Sequence, residues 1–393
     1  MPHPFSARSR FPLRKNRLAG LLEKKRRQRA PLIDLTVSNP VMAGFRHTPE
    51  TMASALSSPA NCEYQPDPRG SIEARIAVAQ YYGVRGSPVD PENLILTCST
   101  SEAYAFLLQL LADPGDAILV PRPGYPLLEH LSQLASVRIR PYSLRFDHRW
   151  SIDLPLLAKR LQRGARAVLL VNPNNPTGGY VSENEWNEIQ EACAEANAAV
   201  VCDEVFFDYA LGVSEPFQAI PQCSALTFFL NGLSKPAALP QMKLGWILAA
   251  GPPGLRKKAL HRLEVISDAH LSVSVPTQTA TPSLLQASGT IRQRILQRLR
   301  RNLTFLEKTL ADHPARALPV EGGWQGVVQL PRVQTDEQWA LELLRHADIL
   351  LHPGYLYDME TEAMLVVSLL PPCDDFSEGV RRLSGYVRDR VDC

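Results

Sequence analysis

At 393 residues the chain exceeds what one hydrophobic core commonly serves, so two packed units are expected. Its apolar share of 45% is ordinary for a globular protein, and no run approaches the ~18 apolar residues of a membrane-spanning helix. The reading is a soluble, cytoplasmic protein with no membrane partner.

The formal net charge of +2 is unevenly spread. Residues 1–30 carry ten Lys/Arg against the single acid Glu23, which leaves the rest at a formal −7. A basic head on an acidic body fits a nucleic-acid arm or a targeting peptide, or more simply an arm packing on the body or a partner subunit. The packed arm is the expectation, since no apolar signal core follows the charges, and no nucleic acid is expected. Seven cysteines (62, 98, 193, 202, 223, 373, 393) are scattered without a CxxC pair. Neither a zinc site nor a disulfide framework is indicated, and reduced thiols fit best.

In chain order, short apolar runs end in loops and alternate with helical periods. Leu94-Ile95-Leu96 precedes Thr97-Cys98-Ser99, and Glu102 to Leu111 reads as a helix. Ala117 to Val120 ends at Pro121, and Ala167 to Val171 ends at Asn172-Pro173. Glu183 to Ala196 has helical period, Ala199-Val200-Val201 runs to Asp203, and Leu226 to Leu230 ends at Asn231-Gly232. Strands alternating with helices predict an α/β fold with a mostly parallel sheet, whose ligands sit at the carboxyl ends of its strands. Ile291 to Leu310 reads as a long charged helix opening a second unit. The expected organisation is an N-terminal arm over 1–45, associated with the small domain or a partner subunit, a large domain over 46–290 and a smaller α/β domain over 291–393.

The polar residues at the strand ends carry the chemistry. Lys235, in Asn231-Gly232-Leu233-Ser234-Lys235, closes a strand, and burial there lowers an amine's pKa and makes it a nucleophile towards an aldehyde. Lys243 follows eight residues later, a second cation able to neutralise a phosphate. Asp203 ends an apolar strand, where a carboxylate needs a positive partner. A protonated pyridine nitrogen, a salt bridge or a helix cap all meet that need. Two prolines and a glycine fix Asn172-Pro173-Asn174-Asn175-Pro176-Thr177-Gly178, so Asn175 can be held rigidly at another strand end.

Together these segments, over about Asp34 to Leu370, resemble the fold-type-I pyridoxal-phosphate enzymes, and specifically the class I/II aminotransferases. The resemblance implies a pyridoxal 5′-phosphate cofactor held as a Schiff base on Lys235, with Asp203 on the pyridinium nitrogen and Asn175 on the 3′ oxygen. Ser99, Thr100 and Ser101 match the phosphate cup, for which a helix start gives the physical reason. Tyr125 matches the aromatic stacked on the ring. Tyr64 matches a tyrosine reaching the phosphate of a neighbouring subunit, which implies a homodimer with shared active sites. The implied activity is an aminotransferase moving an amino group between an amino acid and a 2-oxo acid. Two other readings stand beside it: another pyridoxal-phosphate reaction (elimination, decarboxylation or racemisation), and a non-catalytic cofactor- or nucleic-acid-binding regulator.

Four positions depart from the family pattern. Phe206 stands for a tyrosine, Lys243 for an arginine and Gly232 for a serine. Val366, in Leu365-Val366-Val367-Ser368, occupies the position of the arginine that grips the substrate α-carboxylate, with Arg332 and Arg46 as candidate replacements. Trp324 and His352 to Tyr355 look like pocket-lining segments.

Overall fold

Runs such as Ala117–Val120 and Ala167–Val171 are apolar without alternation, the mark of strands covered on both faces. In the computed structural model, which describes residues 4–12, 14–212, 215–220 and 222–391, they lie in a central eight-stranded sheet. In chain order the strands are β1 (Ile33–Asp34), β2 (Leu94–Thr97), β3 (Ala117–Arg122), β4 (Arg138–Asp147), β5 (Arg149–Ile152), β6 (Ala165–Val171) and β7 (Ala199–Asp203). After them come β8 (Thr227–Gly232), β9 (Gly245–Ala250), β10 (Arg316–Ala317), β11 (Gln325–Gln329), β12 (Ile349–Leu350), β13 (His352–Pro353) and β14 (Met364–Ser368).

The central order is β2-β9-β8-β7-β6-β3-β4-β5. β8, β7, β6, β3 and β4 are parallel, β9 runs against both neighbours, and β5 turns back on β4. Because side chains alternate along a strand, β6 feeds two cores. Val168 and Leu170 join Trp186 and Ile189 of the helix Glu183–Glu195 on one face. Ala167, Leu169 and Val171 join Phe106 and Leu107 of Thr100–Leu111 and Leu260 and Leu263 of Pro253–His270 on the other.

A third core lies under the four-stranded sheet β10-β11-β14-β13, with Trp339 and Leu343 of Asp336–His346 and Phe376 and Val380 of Cys373–Val391. The basic head belongs to this part. β1 pairs in parallel with β12, and the helix Arg17–Arg27 places Lys25 on Asp348 and Arg17 3.5 Å from Glu337. Its charges therefore meet acids of the same chain.

The long helix differs from the sequence expectation. It runs from Val275 to Thr309, so residue 291 falls inside it and marks no break. Thr277, Thr281, Ser288 and the internal Pro282 are poor helix formers, but tertiary contacts override them. Thr281 Oγ1 bonds back to Thr277 O at 2.8 Å, and Thr277 Oγ1 bonds Met242 O at 3.1 Å. Cys393 lies outside the described residues. Among those described, the remaining six cysteines are free, no His/Cys/Asp/Glu cluster suits a metal, and no helix is long and apolar enough to cross a membrane.

Candidate functional site

The carboxyl ends of the parallel strands fall on one edge: the pairings Val171↔Asp203, Asp203↔Leu230 and Gly232↔Gly245 bring β6, β7, β8 and the start of β9 into line. Thr97, ending β2, pairs with Gly245 from the other side. Two close approaches hold this edge together. A Cβ on Gly232 would sit 2.6 Å from Leu244 O, and one on Gly245 would sit 2.9 Å from Ser99 C and 3.0 Å from Thr100 N. The glycine at 232 thus answers to packing between β8 and β9.

Lys235 lies just past β8. Its Nζ donates to Ser38 O at 3.2 Å and sits 4.8 Å from the centre of the Trp324 ring and 5.5 Å from that of Phe206. Burial between these rings lowers its pKa to about 8, and the charge of Asp203 opposes the shift. The Tyr209 hydroxyl fixes the Lys235 carbonyl at 2.6 Å. Asp203 is buried, and burial raises its pKa, against the hydrogen bonds from Tyr104 (2.7 Å) and the Val205 amide (3.0 Å) and the field of Lys235.

The Asn172–Gly178 loop is built rigidly. Asn172 Oδ1 accepts from Val181 N at 3.0 Å, and Asn174 Nδ2 reaches Pro123 O and Thr177 Oγ1 at 3.2 and 3.0 Å. That leaves Asn175, whose buried Oδ1 has no partner among the described residues. It borders a small cavity with Phe206, Trp324 and Gln325. Ser99 caps the helix Thr100–Leu111 by accepting from Glu102 N at 3.1 Å, while Cys98 N donates to Glu102 Oε2 at 2.6 Å. The first-turn amides of Thr100 and Ser101 have no partner within the helix, which makes this end an anion cradle. Lys243 is exposed and in the left-handed region (φ 51°); burial and then Glu102 raise the pKa of the Cys98 thiol beside that cradle, against the charge of Lys243. Tyr125 is 47% exposed, and burial and the charge of Asp203 raise its phenol's pKa.

Of the residues singled out in sequence, Lys235, Asp203, Asn175, Ser99, Thr100, Ser101, Lys243 and Tyr125 share this edge. Tyr64 is 73% exposed. Trp324 lines the pocket, as does Gln325, which together with Ser38, Tyr104, Tyr209 and Tyr357 had no sequence signal of its own. Arg46 and Arg332 are exposed. The fit to a phosphorylated pyridine aldehyde is direct: an amine at the end of β8, a buried carboxylate wanting a cation, an unsatisfied amide and a helix start for the phosphate.

A family model described as "Aminotransferase class I and II" matches residues 30–368. The chain is similar to glutamate-pyruvate aminotransferase AlaA of Haemophilus influenzae, 26% identical over 372 residues, 91% of each chain. It is likewise similar to the alanine aminotransferase of Mycobacterium bovis, 26% identical over 371 residues, 91% of this chain and 85% of that one. Its fold is that of a solved alanine aminotransferase from Pyrococcus furiosus, with a TM-score of 0.86 at 22% identity over 95% and 96% of the two chains.

Proposed function

This chain belongs to the class I and II aminotransferases, enzymes dependent on pyridoxal 5′-phosphate, and from that premise we propose how its own residues perform amino transfer. The reading rests above all on Lys235, an amine with its pKa lowered to about 8, close enough to Asp203 to feel its charge. Neutral at mildly basic pH, Nζ would be the group that holds the cofactor through its aldehyde carbon. Thr100 and Ser101 amides, with the Lys243 charge, would hold the phosphate. Lys243 supplies charge there without the two-pronged geometry of an arginine. Asp203 would accept the ring N–H, which would relieve the cost of its own buried charge. Asn175 Nδ2 would donate to the ring's phenolic oxygen, and Phe206 offers no hydroxyl to help it.

Bound in this way, pyridoxal phosphate supplies an electron sink for the bonding pair released at the substrate's Cα. Lys235 Nζ, when free, would be placed to take the Cα proton and hand it on. Trp324 and Phe206 cover Nζ and keep water from it. Relatives whose names carry alanine and glutamate-pyruvate support exchange between an amino acid and a 2-oxo acid as the reaction. Tyr64, exposed in the single chain, would reach the phosphate of a second copy in a homodimer.

The test is spectroscopic. Cofactor-loaded protein should absorb in the visible, and an amino donor should shift the band while a 2-oxo acid restores it. Lys235→Ala should abolish the band. Ammonia released without any acceptor would instead favour an elimination.

A further inference from the structure

One side chain joins the two ends of the site. Tyr104 lies on the helix Thr100–Leu111, one turn past Thr100, or about 6 Å of rise. Residues four apart on a helix share a face, so Tyr104 stands on the same side as Thr100, whose amide belongs to the anion cradle. The Tyr104 ring is buried in the core with Ile118, Leu169 and Val201. Its hydroxyl reaches across to the end of β7 and donates to Asp203 Oδ2 at 2.7 Å.

Asp203 Oδ1 accepts from the Val205 amide at 3.0 Å, so each carboxyl oxygen already has one donor. Each can accept a second, which leaves room for a ring N–H. The other charges near Asp203 are accounted for. Lys235 draws its carboxyl towards ionisation, and Glu204 beside it is engaged by Arg85 at 2.8 Å. Burial, then the charge of Asp203 and the hydrogen bond to it, push the Tyr104 phenol well above its usual pKa. The phenol therefore keeps its proton and remains a donor throughout the neutral range.

A fixed donor treats the two charge states of Asp203 unequally. Burial pushes the empty site towards the neutral carboxyl, and a hydrogen bond to that form is about half as strong as one to a carboxylate. With a pyridine nitrogen opposite, one proton is shared between ring and carboxyl. Donation by Tyr104 favours the carboxylate, and so biases that proton onto the ring. We propose that Tyr104 is a positioning residue for the cofactor, holding Asp203 as a carboxylate towards the ring nitrogen and tying it to the helix that cradles the phosphate. Both ends of the cofactor are then referred to one rigid element. The inference rests on the pyridoxal-phosphate reading above.

The test compares pyridoxal 5′-phosphate with its deaza analogue, in which a C–H replaces the ring nitrogen and gives Asp203 nothing to pair with. Dissociation constants for both are measured by equilibrium dialysis on cofactor-free protein and on Tyr104→Phe, which removes the hydroxyl and keeps the packed ring. The preference for the natural cofactor over the analogue should fall about tenfold in Tyr104→Phe, the scale separating a hydrogen bond to a charged group from one to a neutral group. The ring-nitrogen NMR signal of isotopically labelled cofactor should move towards that of an unprotonated pyridine. If circular dichroism shows that Tyr104→Phe does not fold, a ring-fluorinated tyrosine in place of Tyr104, a stronger donor of nearly the same size, should widen the preference instead. Equal losses for cofactor and analogue would mark a merely structural role and overturn the proposal, as would a preference unchanged in the folded protein. If neither compound binds the unmodified protein, the cofactor reading itself fails, and the proposal with it.

Discussion

Lys235 is expected to capture the aldehyde at neutral pH. With its pKa lowered to about 8 from an ordinary 10.5, roughly one amine in ten is neutral at pH 7, against about one in three thousand for an unperturbed lysine. The advantage in reactive form is about 300-fold, and it arises from burial against Trp324 and Phe206. The sign is fixed: the neutral amine gains as pH rises through about 8, so capture accelerates from pH 6 to 8 and levels off above. Stopped-flow mixing of cofactor-free protein with pyridoxal phosphate, read in the visible across pH 6–10, measures the midpoint. Borohydride reduction followed by peptide mapping identifies the lysine. A midpoint near 10, or label distributed over several lysines, would refute the reasoning.

Other outcomes follow from the same edge. Ionised Asp203 is disfavoured by burial; a carboxyl with a raised pKa lends stability below its unfolded value and loses it as pH rises through the folded one. A bound ring nitrogen would offset that loss at neutral pH, so the gain in Tm on loading the cofactor should shrink in Asp203→Asn by about 1 °C per kcal/mol removed. An equal gain in both proteins would count against the pairing. Gly245→Ala drives a methyl into Ser99 and Thr100, so pyridoxal-phosphate affinity should fall about tenfold or more while far-UV circular dichroism is kept. Arg85→Met strips the buried Glu204 of its 2.8 Å ion pair and should cost about 3–5 kcal/mol in urea unfolding, part of which Glu204→Gln added to it restores.

What the sequence made legible were groups at the ends of strands. Asp203, Asn175 and Lys235 each follow an apolar run that stops at a polar residue, and strand ends are where a parallel sheet exposes side chains to a ligand. The helix start at Ser99 was legible for the same reason. Residues brought in by long-range pairing were not. Ser38 reaches Lys235 only because β1 docks on β12, and Gln325 reaches the cavity through the register of β11 with β14. Tyr104 reads as one more apolar position on its helix, yet its hydroxyl meets Asp203. The start of the long helix was missed because Pro282 and its neighbours argue locally against helix and are outvoted by packing.

The docking of β1 on β12 has a further consequence for how the protein is made. About 316 residues separate Ile33 from its partner Ile349, so at ribosomal rates the first strand waits roughly 15–60 s for the strand that receives it. During that interval the central sheet, complete by residue 250, has emerged without the Ser38 carbonyl over Lys235. The nascent chain therefore offers its amine uncovered, and a cofactor arriving then meets an open door that the finished enzyme keeps half shut.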